Sequence, residues 1–219
     1  MESKSERCLL VLMTIAALVV SGTLPHDEMT WWMEVSWVLV GLPLLIATGR
    51  AFPLTPLLYR LLFLHALVLI LGGHYTYARV PLGQWLQDLC HLSRNHYDRF
   101  GHFAQGFFPA ILAREILLRR SPLVRGGWLF FLVVCVCLAF SAFFEMIEWW
   151  SAITLGSAAD AFLATQGDPW DTHWDMFWAM VGAIGSLCLL ARYHDHQLRQ
   201  LISQTSHARQ PIVGATSPG

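Results

Sequence analysis

An all-α bundle of about six membrane-spanning helices is the fold class this sequence predicts, and three observations predict it. Of its 219 residues, 55% are hydrophobic and only 13% charged, where an ordinary soluble domain carries about 25% charged residues. The apolar residues gather into six stretches long enough, or nearly so, to cross a hydrocarbon core of roughly 30 Å, which takes about 20 helical residues. The basic residues are sided, as positive-inside topology requires. Composition also excludes whole classes. Fourteen Lys+Arg against fifteen Asp+Glu leave a net charge of -1, so neither nucleic acid nor another polyanion is an expected partner, and the chain is too apolar to be disordered. The five cysteines form no C-x-x-C pair; small buried thiols are the plain reading.

The first stretch, 8–24, is short, and Lys4 and Arg7 precede it as in a signal peptide; Val20-Ser21-Gly22 resembles a weak cleavage site. A retained anchor is expected. Stretches 31–48 and 57–78 follow. A short outer hairpin, 83–93, leads to the fourth stretch, 100–118, the least apolar, with His102, Gln105, Arg114 and Glu115. The fifth, 127–154, is the longest and is expected to tilt or project. The sixth is 172–193. Residues 1–202 make one domain, and 203–219, rich in Ser, Thr, Pro and Gly, read as a disordered cytoplasmic tail.

Orientation follows from Lys and Arg. One side collects Lys4, Arg7, Arg50, Arg60, Arg114, Arg119, Arg120, Arg125, Arg192, Arg199 and Arg209; the other has Arg79, Arg94 and Arg99. Both termini are therefore expected in the cytoplasm. All tryptophans but Trp128 fall in outer halves or outer loops. Either an outer aromatic-lined cavity or the 83–93 hairpin lying among headgroups accounts for that bias.

Three polar clusters are expected at the same outer face. Asp98, His102 and Gln105 are spaced i, i+4, i+7 and share one helix face, beside Arg99. Glu145 lies eighteen residues beyond Gly127, about 27 Å up its helix, with Glu148 one turn on. Asp168, Asp171 and Asp175 enter the last helix. Ionisable groups in a bilayer cost roughly 2.5–3.5 kcal/mol at mid-helix by insertion scales, so arrival from three helices at one depth points to a shared pocket. Each residue also has a structural reading. Asp168 fits an N-cap, with Pro169 at N1 and Asp171 at N3. Asp175 shares a face with Asp171, Trp178, Gly182 and Gly185, a small-residue stripe suited to close packing. Glu145 and Glu148 could pair with Arg94 or Arg99 and do no chemistry. In the functional reading, His102, Glu145, Glu148 and Asp175 are general acid–base candidates. Glu145, Glu148 and Asp175, with His102 opposite, are candidate ligands for a divalent cation. His65 and His74 are further candidates, more simply read as packing residues.

These motifs, Tyr97-Asp98-Arg99-Phe100-Gly101-His102-Phe103-Ala104-Gln105-Gly106-Phe107, Arg114-Glu115, Phe144-Glu145-Met146-Ile147-Glu148-Trp149 and Gln166-Gly167-Asp168-Pro169-Trp170-Asp171 with Asp175-Met176, resemble the YjdF family of bacterial inner-membrane proteins. The resemblance implies an inner-membrane location and no established activity. More distantly, Asp98-Arg99-x-x-His102, Glu145-x-x-Glu148 and Asp171-x-x-x-Asp175 before Gly182 are similar to VanZ-like membrane proteins. This sequence departs from that pattern in having Arg99 for Lys, Glu148 for Gln and Ala179 for Asn. An envelope-related role is all that resemblance implies. Signatures of other membrane enzymes are missing: no Gly-x-Ser-x-Gly elbow, no His-Glu-x-x-His helix, no lipid-phosphatase pair and no phospholipid-synthase run. Three functions stay open. The site binds or modifies a polar or lipid-linked envelope ligand, or it serves a proton- or cation-coupled transporter, or its charges are paired in a structural subunit.

Overall fold

The computed structural model describes residues 4–209, with side chains to residue 204, and these are helical throughout apart from short connections. The helices are α1 (Lys4–Ser21), α2 (Glu28–Thr48), α3 (Pro56–Tyr75), α4 (Pro81–Cys90), α5 (Tyr97–Arg120), α6 (Gly127–Leu155), α7 (Asp160–Leu163) and α8 (Asp171–Arg209). Local chemistry sets several of the ends. Asp27 caps α2 by accepting from the Thr30 N–H at 2.7 Å. Pro56 opens α3, where its missing N–H costs nothing. That helix stops at Tyr75, short of the expected residue 78, because Thr76 turns to φ 60°. The Asn95 side chain accepts from Tyr97 N at 2.9 Å and starts α5. At the far end α8 continues to Arg209, so the start of the expected tail is helical, and its residues 210–219 lie outside the described residues.

Four helices are long and apolar enough to cross a membrane: α2, α3, α6 with its extension to Leu163, and α8 to Gln204. The fold is therefore all-α and polytopic. Helix α1 carries Lys4, Glu6 and Arg7, and α5 carries six charged residues, which keeps both off that list. Yet α5 is the centre of the bundle, packed most extensively against α8 and also against α3 and α6. Its charges are tolerated because protein, not lipid, surrounds them: Asp98, Arg114 and Glu115 are all buried. The bundle's outer surface is the apolar one, with Leu12, Val19, Val40, Phe131, Ile153 and Leu189 exposed.

Helices α5 and α8 run parallel, in near backbone contact. A Cβ on Gly106 would collide with the Ala179 carbonyl, and one on Gly182 with the Phe103 carbonyl. The small-residue stripe thus does what its spacing predicts. It presses the first turns of α5 against those of α8, with the last third of α6 alongside. Below that point an apolar layer of Ala110, Leu129, Val133, Cys137, Ala183 and Leu187 fills the bundle.

Candidate functional site

At the end where α5 and α8 begin, two arginines organise the entrance. Arg94, in the loop before α5, donates to Asp171 at 2.5 Å and to the carbonyls of Thr165 and Ala164 at 3.0 and 3.2 Å. It also lies 3.6 Å from Asp168 and 3.9 Å from Asp98. Arg99 donates to Asp168 at 2.5 Å and to His96 Nδ1 at 3.2 Å, and stands over the Trp174 ring. Burial, with the Arg99 and Arg94 guanidiniums beside it, pushes the His96 imidazole below its ordinary pKa. Reciprocal bonds between the Gln166 side chain and the Asn95 backbone, 3.1 and 2.9 Å, lock this loop to the segment before α8.

Beneath the arginines sits a second layer, formed by Asp98, His102, Glu145 and Asp175, each 7% exposed or less. Its geometry is unlike the first. His102 Nε2 lies 3.8 Å from Asp98 Oδ1 and His102 Nδ1 lies 3.7 Å from Glu145 Oε1, both beyond hydrogen-bond length. Ligand atoms of Asp98, His102 and Asp175 fall within 4.8 Å of one another. Both Glu145 oxygens and Asp175 Oδ1 are buried with no hydrogen bond of good geometry, although the Thr172 side chain lies beside Glu145. Gln105 does find a partner, its Oε1 lying 3.1 Å from His102 Nδ1. Glu148 is half-buried and within electrostatic reach of Glu145, Asp98 and Asp175.

All nine expected site residues therefore gather at one end of the bundle, in two layers with different chemistry. Among the described residues neither glutamate pairs with an arginine; Asp168 and Asp171 take both guanidiniums instead. Asp168 does cap locally, accepting from Trp170 N at 2.9 Å. Regular helix begins only at Asp171, because Pro169 and Trp170 form a turn, so Asp171 points at Arg94 rather than acting as an N3 residue. The tryptophan bias has both outcomes: Trp85, Trp149, Trp150, Trp170 and Trp174 are exposed on the bundle surface, as in an interfacial belt, whereas Trp32 and Trp37 line an apolar groove with Phe144 and Phe162. His74 Nδ1 donates to the Ser21 carbonyl at 2.7 Å, and His65 packs on Phe108 away from the site.

Sequence reasoning missed two features. Glu34, in the apolar run of α2, is 2% exposed with Oε2 unpartnered; it interacts electrostatically with Asp98 and Glu148 and faces the Tyr77 hydroxyl. A lone acid in such a run was the available signal. At the opposite end of α5, Glu115 accepts from Thr55 Oγ1 at 2.8 Å, His194 Nε2 at 3.0 Å and Arg119 at 2.6 Å. Arg114 donates to His194 Nδ1 at 2.7 Å and pairs with Asp195 at 2.8 Å. Because arginine can only donate, His194 Nδ1 must accept, which leaves Nε2–H to face Glu115.

The family described as "Predicted membrane protein (DUF2238)" matches residues 6–196. This chain belongs to that family. "Inner membrane protein YjdF" of Escherichia coli (strain K12) is 54% identical over 184 residues, covering 84% of this chain and 88% of that protein. No solved structure matches. Kinship and the four apolar spans together give a multi-pass protein of the bacterial inner membrane. The matched region contains both polar layers and the cluster around Glu115; the VanZ-like resemblance rests on its three motifs alone.

Proposed function

We propose that the inner layer of Asp98, His102, Glu145 and Asp175, together with Glu148 beside it, is a binding site at the extracytoplasmic end of the bundle for the polar head of an envelope ligand, a lipid-linked one in particular. One observation carries this reading. Glu145 and Asp175 are buried with unpartnered oxygens, while the nearby arginines are committed to Asp168 and Asp171. Leaving buried polar groups unmade typically costs about 1–3 kcal/mol each, more when charged, so a fold that keeps them gains something else by it. The lipid-linked form is supported by an apolar groove of about 310 Å³ lined by Trp32, Met33, Ser36, Trp37, Phe144, Ile147 and Phe162. Phe144 closes that groove and meets the His102 ring edge-on, centroids 5.8 Å apart. An acyl or isoprenoid tail in the groove would bring its head to the acids.

A transporter reading has less support, because the layer around Val133 and Ala183 is apolar and fully buried. It interrupts any polar route along α5. A structural subunit would be expected to pair its charges, and in the inner layer Glu145 and Asp175 have no arginine partner among the described residues.

The orientation is part of the proposal: six spans, both termini cytoplasmic, supported by the eleven-to-three distribution of basic residues. Reporter fusions after Ser121 should read cytoplasmic, and fusions near Gly83 or Ser157 extracytoplasmic. A cytoplasmic signal at Ser157 overturns the placement. For the site itself, Glu148→Gln should accumulate normally, since shape and hydrogen bonding are kept. It should fail to restore detergent and cell-wall-antibiotic resistance to a deletion strain. Normal abundance with full rescue removes Glu148 from the reading.

A further inference from the structure

We infer that the inner layer binds one divalent transition-metal ion, of the Zn²⁺ or Mn²⁺ kind, through Asp98, His102 and Asp175. This deepens the ligand-site reading and rests on it only in sharing the same pocket. Clustered acids alone would not carry it; three further features do.

The first is the state of the donors. Asp175 is 2% exposed with Oδ1 unpartnered. It converges with Asp98 on the His102 imidazole, and the two nearest guanidiniums are held closely by Asp171 and Asp168, Arg94 reaching Asp98 only at 3.9 Å. Buried carboxylates in this position call for a compact positive charge.

The second is the orientation of His102. Gln105 Oε1 lies 3.1 Å from Nδ1, and a carbonyl oxygen can only accept, so Nδ1 carries the proton. Nε2 therefore turns its lone pair toward Asp98 Oδ1, 3.8 Å away. Two acceptors facing each other make no hydrogen bond, but both can bind a cation placed between them. A metal-ligating histidine characteristically donates its other N–H to a carbonyl or carboxylate, which fixes tautomer and ring plane. Gln105 holds that place here.

The third is spacing. Metal–ligand bonds of about 2.0–2.2 Å put ligand atoms roughly 3–3.5 Å apart. The three donors already lie within 4.8 Å of one another, so small rotations close the gap. Two helices supply them, and the Gly106–Ala179 contact holds those helices together one turn below. The donor set also selects the metal. One imidazole among carboxylates suits Zn²⁺ or Mn²⁺; Ca²⁺ takes oxygen alone, and Cu⁺ prefers thiolate. A bound dication would in turn present a Lewis-acidic face to a phosphate or carboxylate head group.

The test uses the full chain in lipid nanodiscs, stripped with chelator and titrated with Zn²⁺, Mn²⁺ and Ca²⁺, with Co²⁺ as the optical probe. We expect one equivalent of Zn²⁺ per chain and Co²⁺ absorption bands that need His102. Asp175→Asn and His102→Gln should each weaken binding at least a hundredfold. Gln105→Ala, which leaves every ligand in place, should weaken it about tenfold, and Asp88→Asn on exposed α4 should change nothing. Loss of uptake by stripped wild-type protein of unchanged circular dichroism overturns the inference. So does unaltered Zn²⁺ affinity in both Asp175→Asn and His102→Gln. Equal competition by Ca²⁺ removes His102 from the set. If those two variants do not fold, the wild-type Co²⁺ spectrum and Gln105→Ala decide. No organic ligand is needed for uptake, so a metal-free result leaves the head-group reading to the Glu148→Gln rescue, and a failed rescue leaves the metal standing.

Discussion

The two ends of α5 both bury charge, and they do it in opposite ways. Around Glu115 every charged group has its complement. The carboxylate accepts from Thr55, His194 and Arg119, and Arg114 and Arg125 both reach Asp195. Around Glu145 and Asp175 the complement is missing, although arginines lie within the same loop-and-helix layer. Burial is the same: Glu115 is 0% and Asp175 2% exposed. Only hydrogen bonding separates them. A buried charge therefore says little about function until its partners are counted. The saturated end reads as a clamp joining α3, α5 and α8, and the unsaturated end as a place for something else to bind.

That contrast can be broken by mutation. The largest effect is expected at the clamp. Glu115→Gln leaves Arg119 and the Thr55 and His194 donors without their charged acceptor. Breaking a buried pair typically costs about 3–5 kcal/mol. Membrane accumulation should fall sharply, as a quantitative blot would show. If Glu115→Gln accumulates like wild type, the clamp reading is wrong. Next comes the contact that sets the geometry of both ends. Gly106→Leu must push α8 off α5, and overpacking of this kind costs about 1–3 kcal/mol or more. It should lower the detergent melting temperature and, by separating Asp175 from His102, weaken metal uptake together with it. A stable protein with unchanged uptake would show that close helix contact does not position the site. The smallest effect is expected at the exposed Arg60–Glu6 pair, 2.7 Å apart. Surface pairs contribute about 0–1 kcal/mol, so Glu6→Gln should be nearly silent in the same melt.

How much of this was legible in the sequence depends on the range over which each feature is encoded. Helices long enough to fill a hydropathy window were readable to within a few residues at most ends, whereas the segment expected as a hairpin, 83–93, forms the single helix α4. Charge spacing on α5 gave the Asp98–His102–Gln105 face, and Gly182 marked a face for close helix packing without naming α5 as its partner. Ends set by single dihedrals were not readable, as Thr76 stops α3 early; α8 begins within one residue of the expected apolar stretch, though two residues after the start that an Asp168 N-cap implies. The polar continuation of α8 to Arg209 was taken for tail because hydropathy sees only its apolar part. Long-range pairing was harder still. His194 meets Glu115 across 79 residues of sequence, and neither looks special among its neighbours. Glu34 vanished in the same way, one acid averaged into an apolar run. Which acids the arginines would take was equally open, since Asp168, Asp171, Glu145 and Glu148 all lay within reach by topology.

If the inner layer is a working site, it is kept at the expense of stability. Thermal unfolding of Asp175→Asn beside wild type, both in chelator so that no metal contributes, tests it most directly. Removing an uncompensated buried carboxylate should leave the melting temperature equal or higher while function in the rescue assay is lost, the usual trade-off at a working site. A melting temperature well below wild type would mean that Asp175 is held by partners as Glu115 is, and that the two ends of α5 do the same structural job.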